Sequence, residues 1–148
     1  MYVHTTQIRV RYGETDQMGY MYYGYYAWYY EVGRVEAIRQ LGLSYRELEA
    51  QGILMPVVEL HIQYLKPALY DDLITVKTLI REWPSRSVIR FHSELYNEQQ
   101  ELLNKGVTTL VFVDAHTRKK TNMPDILQEK LRPRSEERRV GKECRSRW

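Results

Sequence analysis

From about Gly24 to Leu41 the chain carries its one long run of helical periodicity, and that run constrains the fold more than any other feature. Tyr25, Trp28, Tyr29, Val32, Val35 and Ile38 recur at three- and four-residue steps, the spacing that stacks side chains along a helix. Gly42 follows as a stop, because a helix closes most easily on a left-handed residue that lacks a Cβ. The apolar positions drift around the helix, and Glu36 and Arg39 interrupt them. Such a pattern predicts a helix wrapped on several sides, not one lying flat on a surface.

The rest of the chain must supply the wrapping. His4 to Tyr12 alternates about Ile8 and Val10 and reads as a first strand. Ser44-Tyr-Arg-Glu47 has the form of a capping box and opens a short second helix that ends near Gly52. Every later periodic segment has the two-residue repeat of a strand: Val58 to Tyr64, Ile74 to Ile80, and Ile89 to Leu95. Val107 to Val113 is apolar at nearly every position, as expected of a central strand covered on both faces. Lys66–Asp72, Trp83–Arg86 and Asn97–Gln100 are brief connections, which favour antiparallel pairing. The predicted order is strand, long helix, short helix, four long strands. It describes an α+β chain in which a curved antiparallel sheet wraps one central helix. Such a sheet keeps a free edge, best covered by another copy of the chain. A homodimer is the expected assembly, with a tetramer as its extension.

With 148 residues, 43% of them hydrophobic and 28% charged, the chain has the make-up of one globular domain and not of a disordered or fibrous protein. No apolar run approaches the roughly 18 residues of a membrane span, and no basic-then-apolar leader opens the chain. One Cys excludes an internal disulfide and fits a reducing, cytoplasmic setting. The net charge of +3 gathers at the end, where Ser135–Trp148 holds five Lys/Arg, three Glu and Cys144. Without that segment 17 basic residues face 16 acidic ones. The segment has no helical or strand period and reads as a disordered or foreign appendage, which leaves residues 1–134 as the folded domain. A nearly neutral body is a poor partner for nucleic acid, even with 13 Tyr.

The loop before the long helix is the densest place for chemistry. It sets Asp16 beside Gly19 and leads through Tyr22-Tyr23-Gly24 into the helix start. Helix N-termini present unpaired N–H groups and partial positive charge, which favour a carbonyl oxygen becoming an oxyanion. An Asp near that point has the chemistry of a nucleophile, or of a general base toward water. Together these form a minimal apparatus for acyl transfer or hydrolysis without Ser, Cys or metal. An Asp before a helix is also a common cap or turn residue, and spacing alone does not separate the roles. His61 and His92 have no Cys, Asp or His at ligand spacing, so no metal site is expected. Arg81 and Arg86 flank a Trp-Pro-Ser turn and are candidates for holding phosphates.

The stretch Tyr12-Gly-Glu-Thr-Asp-Gln-Met-Gly-Tyr-Met-Tyr-Tyr-Gly-Tyr-Tyr26, followed by Tyr30-Glu-Val-Gly-Arg-Val-Glu36, resembles the signature of hotdog-fold acyl-CoA thioesterases. Within them it is most similar to the 4-hydroxybenzoyl-CoA thioesterase family, including bacterial members associated with the Tol-Pal cluster. The resemblance runs on through Pro56-Val-Val-Glu59, Tyr64-Leu-Lys-Pro-Ala68, Tyr70-Asp-Asp72 and Val111-Phe-Val-Asp114, and covers roughly residues 5 to 125. It implies the hotdog fold and hydrolysis of acyl-CoA, with coenzyme A as part of the substrate and no separate cofactor. By the same resemblance Asp16 is the catalytic carboxylate, Gly19 lets the backbone pass close to the thioester, and Tyr23 and Gly24 polarise its carbonyl. Tyr22 belongs to the substrate-binding wall. Many relatives carry His or Asn where this chain has Tyr23. Glu31 and Arg34 match a Glu-x-x-Arg pair and, three residues apart on a helix, are expected to pair as scaffold at the dimer seam. Acyl carrier protein is an alternative carrier to CoA. Two other readings stay open: a hotdog dehydratase or hydratase, which pairs a His with a carboxylate, and a non-catalytic acyl-CoA or acyl-carrier-protein binding module.

Overall fold

The computed structural model describes residues 1–134; the tail Ser135–Trp148 lies outside the described residues. Seven strands, β1 (Tyr2–Arg9), β2 (Ile53–Leu54), β3 (Val57–Tyr64), β4 (Leu73–Ile80), β5 (Val88–Tyr96), β6 (Leu102–Val111) and β7 (Val113–Asp114), accompany the long helix α1 (Tyr26–Gln40) and the short helix α2 (Tyr45–Ala50). A third helix, α3, spans residues 125–134. Five strands form one antiparallel sheet in the order β1-β4-β5-β6-β3, and β2 pairs with β7 in a separate ribbon. The sheet curves around α1 in the hotdog arrangement that the sequence predicts. No helix among the described residues is long and apolar enough to cross a membrane.

The helix ends follow their local chemistry. At the C-terminus of α1 the N–H of Gly42 donates to Arg39 O at 2.9 Å and that of Leu43 to Ile38 O at 3.4 Å. Gly42 sits at φ +90°, as this closure demands. Ser44 Oγ accepts from Glu47 N–H at 3.1 Å and so opens α2.

Four boundaries differ from the sequence reading. β1 stops at Arg9, three residues early, because the Glu14 carboxylate accepts the Arg11 N–H at 2.9 Å and draws Tyr12–Glu14 into a 3-10 turn. Tyr23–Tyr25 is likewise 3-10, so the regular helix starts at Tyr26. β6 begins at Leu102, well before the apolar run, because polar Asn104 and Lys105 belong to the strand. Helix α3 is a correction to an all-strand C-terminal half. It buries Leu127 and Leu131, four residues apart, a signal too short to stand out between Pro124 and Pro133.

Burial falls into two clusters beneath α1. Its second half packs Ala37, Ile38 and Leu41 against Ile80, Phe91, Leu110 and the α3 leucines, with Tyr2 Oη donating to Ala37 O at 2.7 Å. Its first half packs Tyr26, Tyr29 and Tyr30 against Ile74, Val76, Leu95 and Leu103. Two glycines permit this approach. A Cβ on Gly33 would lie 2.5 Å from Thr78 Oγ1, and one on Gly106 would lie 2.5 Å from the His61 carbonyl oxygen and 2.6 Å from the Tyr30 ring. Seated so low, Tyr30 donates its hydroxyl to Asn104 Oδ1 at 2.6 Å. That bond ties Tyr30, in the second turn of α1, to β6.

Candidate active site

A tight hairpin between β1 and α1 carries the predicted carboxylate. Thr15 bridges to Met21, and Asp16 N–H donates to Tyr20 O at 2.8 Å. Gly19, at φ +80°, lets the chain reverse, and its N–H returns to Asp16 O at 3.0 Å. The side chain is held by the same turn: Asp16 Oδ1 accepts the N–H of Met18 at 2.9 Å and of Tyr20 at 3.3 Å. Both bonds fall on Oδ1; Oδ2 takes part in neither.

This carboxylate lines a cavity of about 290 Å³ together with Met18, Tyr20, Tyr23, Tyr26 and Tyr64. Leu65, Lys66 and Pro67, at the end of β3, close the far wall. The walls are aromatic: the Tyr64 ring lies edge-on to Tyr23 at 6.3 Å between centroids and tilted to Tyr26 at 5.6 Å. Tyr26 Oη accepts the Ala68 N–H at 3.1 Å, which ties the helix to the wall opposite. Lys66 Nζ pairs with Glu101 outside the cavity, and that hydrogen bond, with one from Asn97, holds the Glu101 carboxyl below the usual range.

Of the residues expected at the site, Asp16 and Tyr23 line this cavity. Tyr22, Gly19 and Gly24 adjoin it through the chain. A Cβ on Gly24 would meet the exposed Tyr22 ring at 2.7 Å, so a larger residue there would move that ring. Tyr22 in turn leans on Tyr23, with ring centroids 4.7 Å apart. The N–H groups of Tyr23 and Gly24 open the helical run, so no preceding turn offers them a carbonyl. Arg81 and Arg86 are not brought here. Arg81 donates to Glu94 at 3.1 Å beside a different cavity, of about 370 Å³, on the sheet. Arg86 holds a left-handed turn position at φ +52° before β5. The expected Glu31–Arg34 pairing is also corrected. Arg34 is buried, its Nε has no partner, and no ion pair joins it to the exposed Glu31. Its neighbour is Tyr45, whose hydroxyl burial pushes up and the guanidinium pulls back down.

Glu14 is the buried carboxylate beside the site that sequence reasoning passed over. It is 4% exposed, and its carboxylate accepts from Arg11 N–H, from the Arg11 guanidinium at 3.2 Å and from Tyr29 Oη at 2.8 Å. Its carbonyl accepts the Tyr22 N–H at 2.8 Å. Burial alone would raise its pKa, but those hydrogen bonds prevail and hold the carboxyl below the usual range. Burial and the bond to Glu14 push the Tyr29 hydroxyl up. The one legible sign was the Arg11-x-x-Glu14 spacing, which suits a cap.

The sequence profile of the thioesterase-like superfamily matches residues 10–131. The putative acyl-CoA thioesterase YneP of Bacillus subtilis is 39% identical over 115 residues, which cover 77% of this chain and 82% of that protein. The acyl-CoA thioester hydrolase YbgC of Escherichia coli is 30% identical over 117 residues, covering 79% and 87%. Among solved structures, a DHNA-CoA thioesterase from Staphylococcus aureus superposes with a TM-score of 0.85 at 34% identity, covering 97% of this chain and 96% of that one.

Proposed function

From the premise that the chain belongs to the thioesterase-like superfamily, and is an acyl-CoA thioesterase, we propose that Asp16 is the carboxylate that drives thioester hydrolysis. The observation that carries this reading is its position: Asp16 sits in an aromatic cavity at the start of α1, oriented by two backbone N–H bonds to one oxygen. Oδ2 either attacks the thioester carbonyl carbon or takes the proton of an attacking water. In both routes the carbonyl oxygen gains negative charge beside the Tyr23 and Gly24 N–H groups, and the helix dipole stabilises it there. In both routes the C–S bond breaks and CoA leaves as its thiolate, which is then protonated; direct attack leaves a mixed acyl–Asp16 anhydride that a water hydrolyses, and each route releases the acid as carboxylate with Asp16 regenerated. Among the described residues no His lines the cavity, which favours hydrolysis over the hydratase chemistry that pairs His with carboxylate. Release of free CoA thiol by the purified protein, across short, long and aromatic acyl-CoAs, tests the reading. No release from any of them would return the chain to the binding-module reading.

Tyr23→Phe separates the ring from its hydroxyl. The ring is exposed and packs on Tyr22 and Tyr64, and the backbone N–H is the donor assigned to the oxyanion. The expected loss in kcat is under about fivefold, whereas a loss near 100-fold would make the hydroxyl a member of the oxyanion site.

The working unit in this proposal is a homodimer, extended to a tetramer where a second interface forms. β3 is an edge strand whose Val57, Val58, Leu60 and Tyr64 are exposed, and its end supplies the cavity's far wall. An exposed apolar edge invites pairing with another copy. Leu60→Lys is expected to yield monomers in light scattering at micromolar concentration. A variant as dimeric as the wild type would move the seam elsewhere.

A further inference from the structure

Hydrolysis at Asp16 consumes a water, and one hydroxyl of the cavity wall is suited to placing it. Of the tyrosines in that wall, Tyr20, Tyr23 and Tyr64 are exposed, so bulk solvent competes for their hydroxyls, whereas Tyr26 is 3% exposed. Tyr26 Oη accepts the Ala68 N–H at 3.1 Å. Ala68 is itself buried, and its carbonyl accepts the Met21 N–H at 2.8 Å. Met21 bridges to Thr15, the residue before Asp16. The hydroxyl and the carboxylate are thus both tied to one hairpin.

The bond from Ala68 uses the Tyr26 oxygen as acceptor and leaves its proton to donate. No described residue accepts that proton, and no hydrogen bond joins Tyr26 to Asp16. Burial pushes the hydroxyl above its ordinary range, the Ala68 bond pulls it partway back, and Tyr64, Asp16 and Asp72 add to the rise. It therefore remains a donor at neutral pH. Asp16 Oδ2 is the complementary group, an acceptor that the turn does not use. A buried donor and an acceptor that line one cavity without meeting are bridged by a molecule that both accepts and donates, and water does both.

We propose that the Tyr26 hydroxyl is the positioning donor for the hydrolytic water, which accepts from Tyr26 and donates to Asp16 Oδ2. The inference rests on the thioesterase reading of Asp16 and narrows it to the route in which water attacks. One water proton passes to Oδ2 while the oxygen's second lone pair forms the bond to the carbonyl carbon. The C–S bond breaks, the CoA thiolate takes the proton from Asp16, and the product acid ionises to solvent. Tyr26 keeps its own proton throughout and sets only the distance and direction of attack.

Two measurements test it. Tyr26→Phe keeps the ring and deletes the hydroxyl. Its kcat for acyl-CoA hydrolysis is expected to fall about tenfold, the worth of one neutral hydrogen bond, with KM within about twofold of the wild type. A role confined to anchoring Ala68 predicts the reverse split, because that bond supports the loop that brings Leu65, Lys66 and Pro67 to the wall. A rise in KM larger than the fall in kcat, or wild-type values of both, overturns the proposal. The second measurement needs no variant. A crystal structure of the wild type with an acyl-CoA ketone analogue, in which CH2 replaces the thioester sulfur, is expected to show an ordered water within about 3.2 Å of both Tyr26 Oη and Asp16 Oδ2. A water bonded to Asp16 alone, or to neither, overturns it. The two readings fail separately: inactive Asp16→Asn beside fully active Tyr26→Phe removes the Tyr26 role and leaves Asp16 catalytic, whereas active Asp16→Asn removes both.

Discussion

Asp16→Asn is expected to lower kcat for acyl-CoA hydrolysis by at least about 100-fold, equivalent to about 2.7 kcal/mol of transition-state stabilisation. The substitution keeps the shape and the acceptor at Oδ1, so the bonds from Met18 and Tyr20 N–H survive. Asn is also at home in a turn of this type. Melting temperature is therefore expected to stay within about 2 °C of the wild type, less than ~1 kcal/mol for a domain of this size. What is removed is the charge at the oxygen that the turn does not use. Thiol release by the variant decides the matter: retention of more than a tenth of the wild-type rate would make Asp16 a turn residue only. A single turnover in ¹⁸O-water then tests the nucleophilic route. Label in the Asp16 side chain marks it as nucleophile, whereas label in the product acid alone is common to the general-base route and to an anhydride opened at its acyl carbon.

The strand–helix order was legible because each element carries its own period. α1 announced itself by three- and four-residue steps, and β4 and β5 by strict alternation. Asp16 and Tyr23 were legible for a different reason, since both sit in one short loop read as a motif. Tertiary relations were not. Tyr64 and Lys66 reach the cavity from the far end of β3, more than forty residues from Asp16 in sequence, and no local pattern records that meeting. Arg34 was misjudged by the helix-surface rule for residues three apart, which assumes solvent on that face; here the guanidinium is buried beside Tyr45, and no ion pair joins it to Glu31. α3 was hidden because two buried leucines one turn apart match too many structures to specify one.

Glu14→Gln is expected to destabilise the protein by about 2–3 kcal/mol at neutral pH, the range for hydrogen bonds to a charged group within a partly buried pair. A neutral amide cannot accept from Arg11 N–H, the Arg11 guanidinium and Tyr29 Oη together, because one of its two heavy atoms is a donor. The sign of the pH dependence follows from the lowered pKa of Glu14. A carboxyl depressed in the folded state contributes its full stabilisation above its unfolded value, about 4.3, and loses it as pH falls through the folded one. The wild type and the variant should therefore differ most above about pH 5 and converge below it. Other depressed carboxyls, Asp114 among them, titrate equally in both proteins and cancel in the difference. Thermal melts of both across that range are the measurement. Parallel curves would mean that the variant suffers from shape and not from charge; coincident curves would mean that the buried carboxylate holds nothing. Activity supplies the link to function. The Glu14 side chain ties the Asp16 hairpin to α1 through Tyr29, so weakening that bond lets the carboxylate drift from the helix start, while the Glu14 carbonyl still accepts the Tyr22 N–H. A displacement of about 1 Å at a reacting group costs on the order of 100-fold. Glu14→Gln should accordingly lower kcat well below the temperature at which it melts, with KM less affected, because Glu14 itself lies outside the cavity wall.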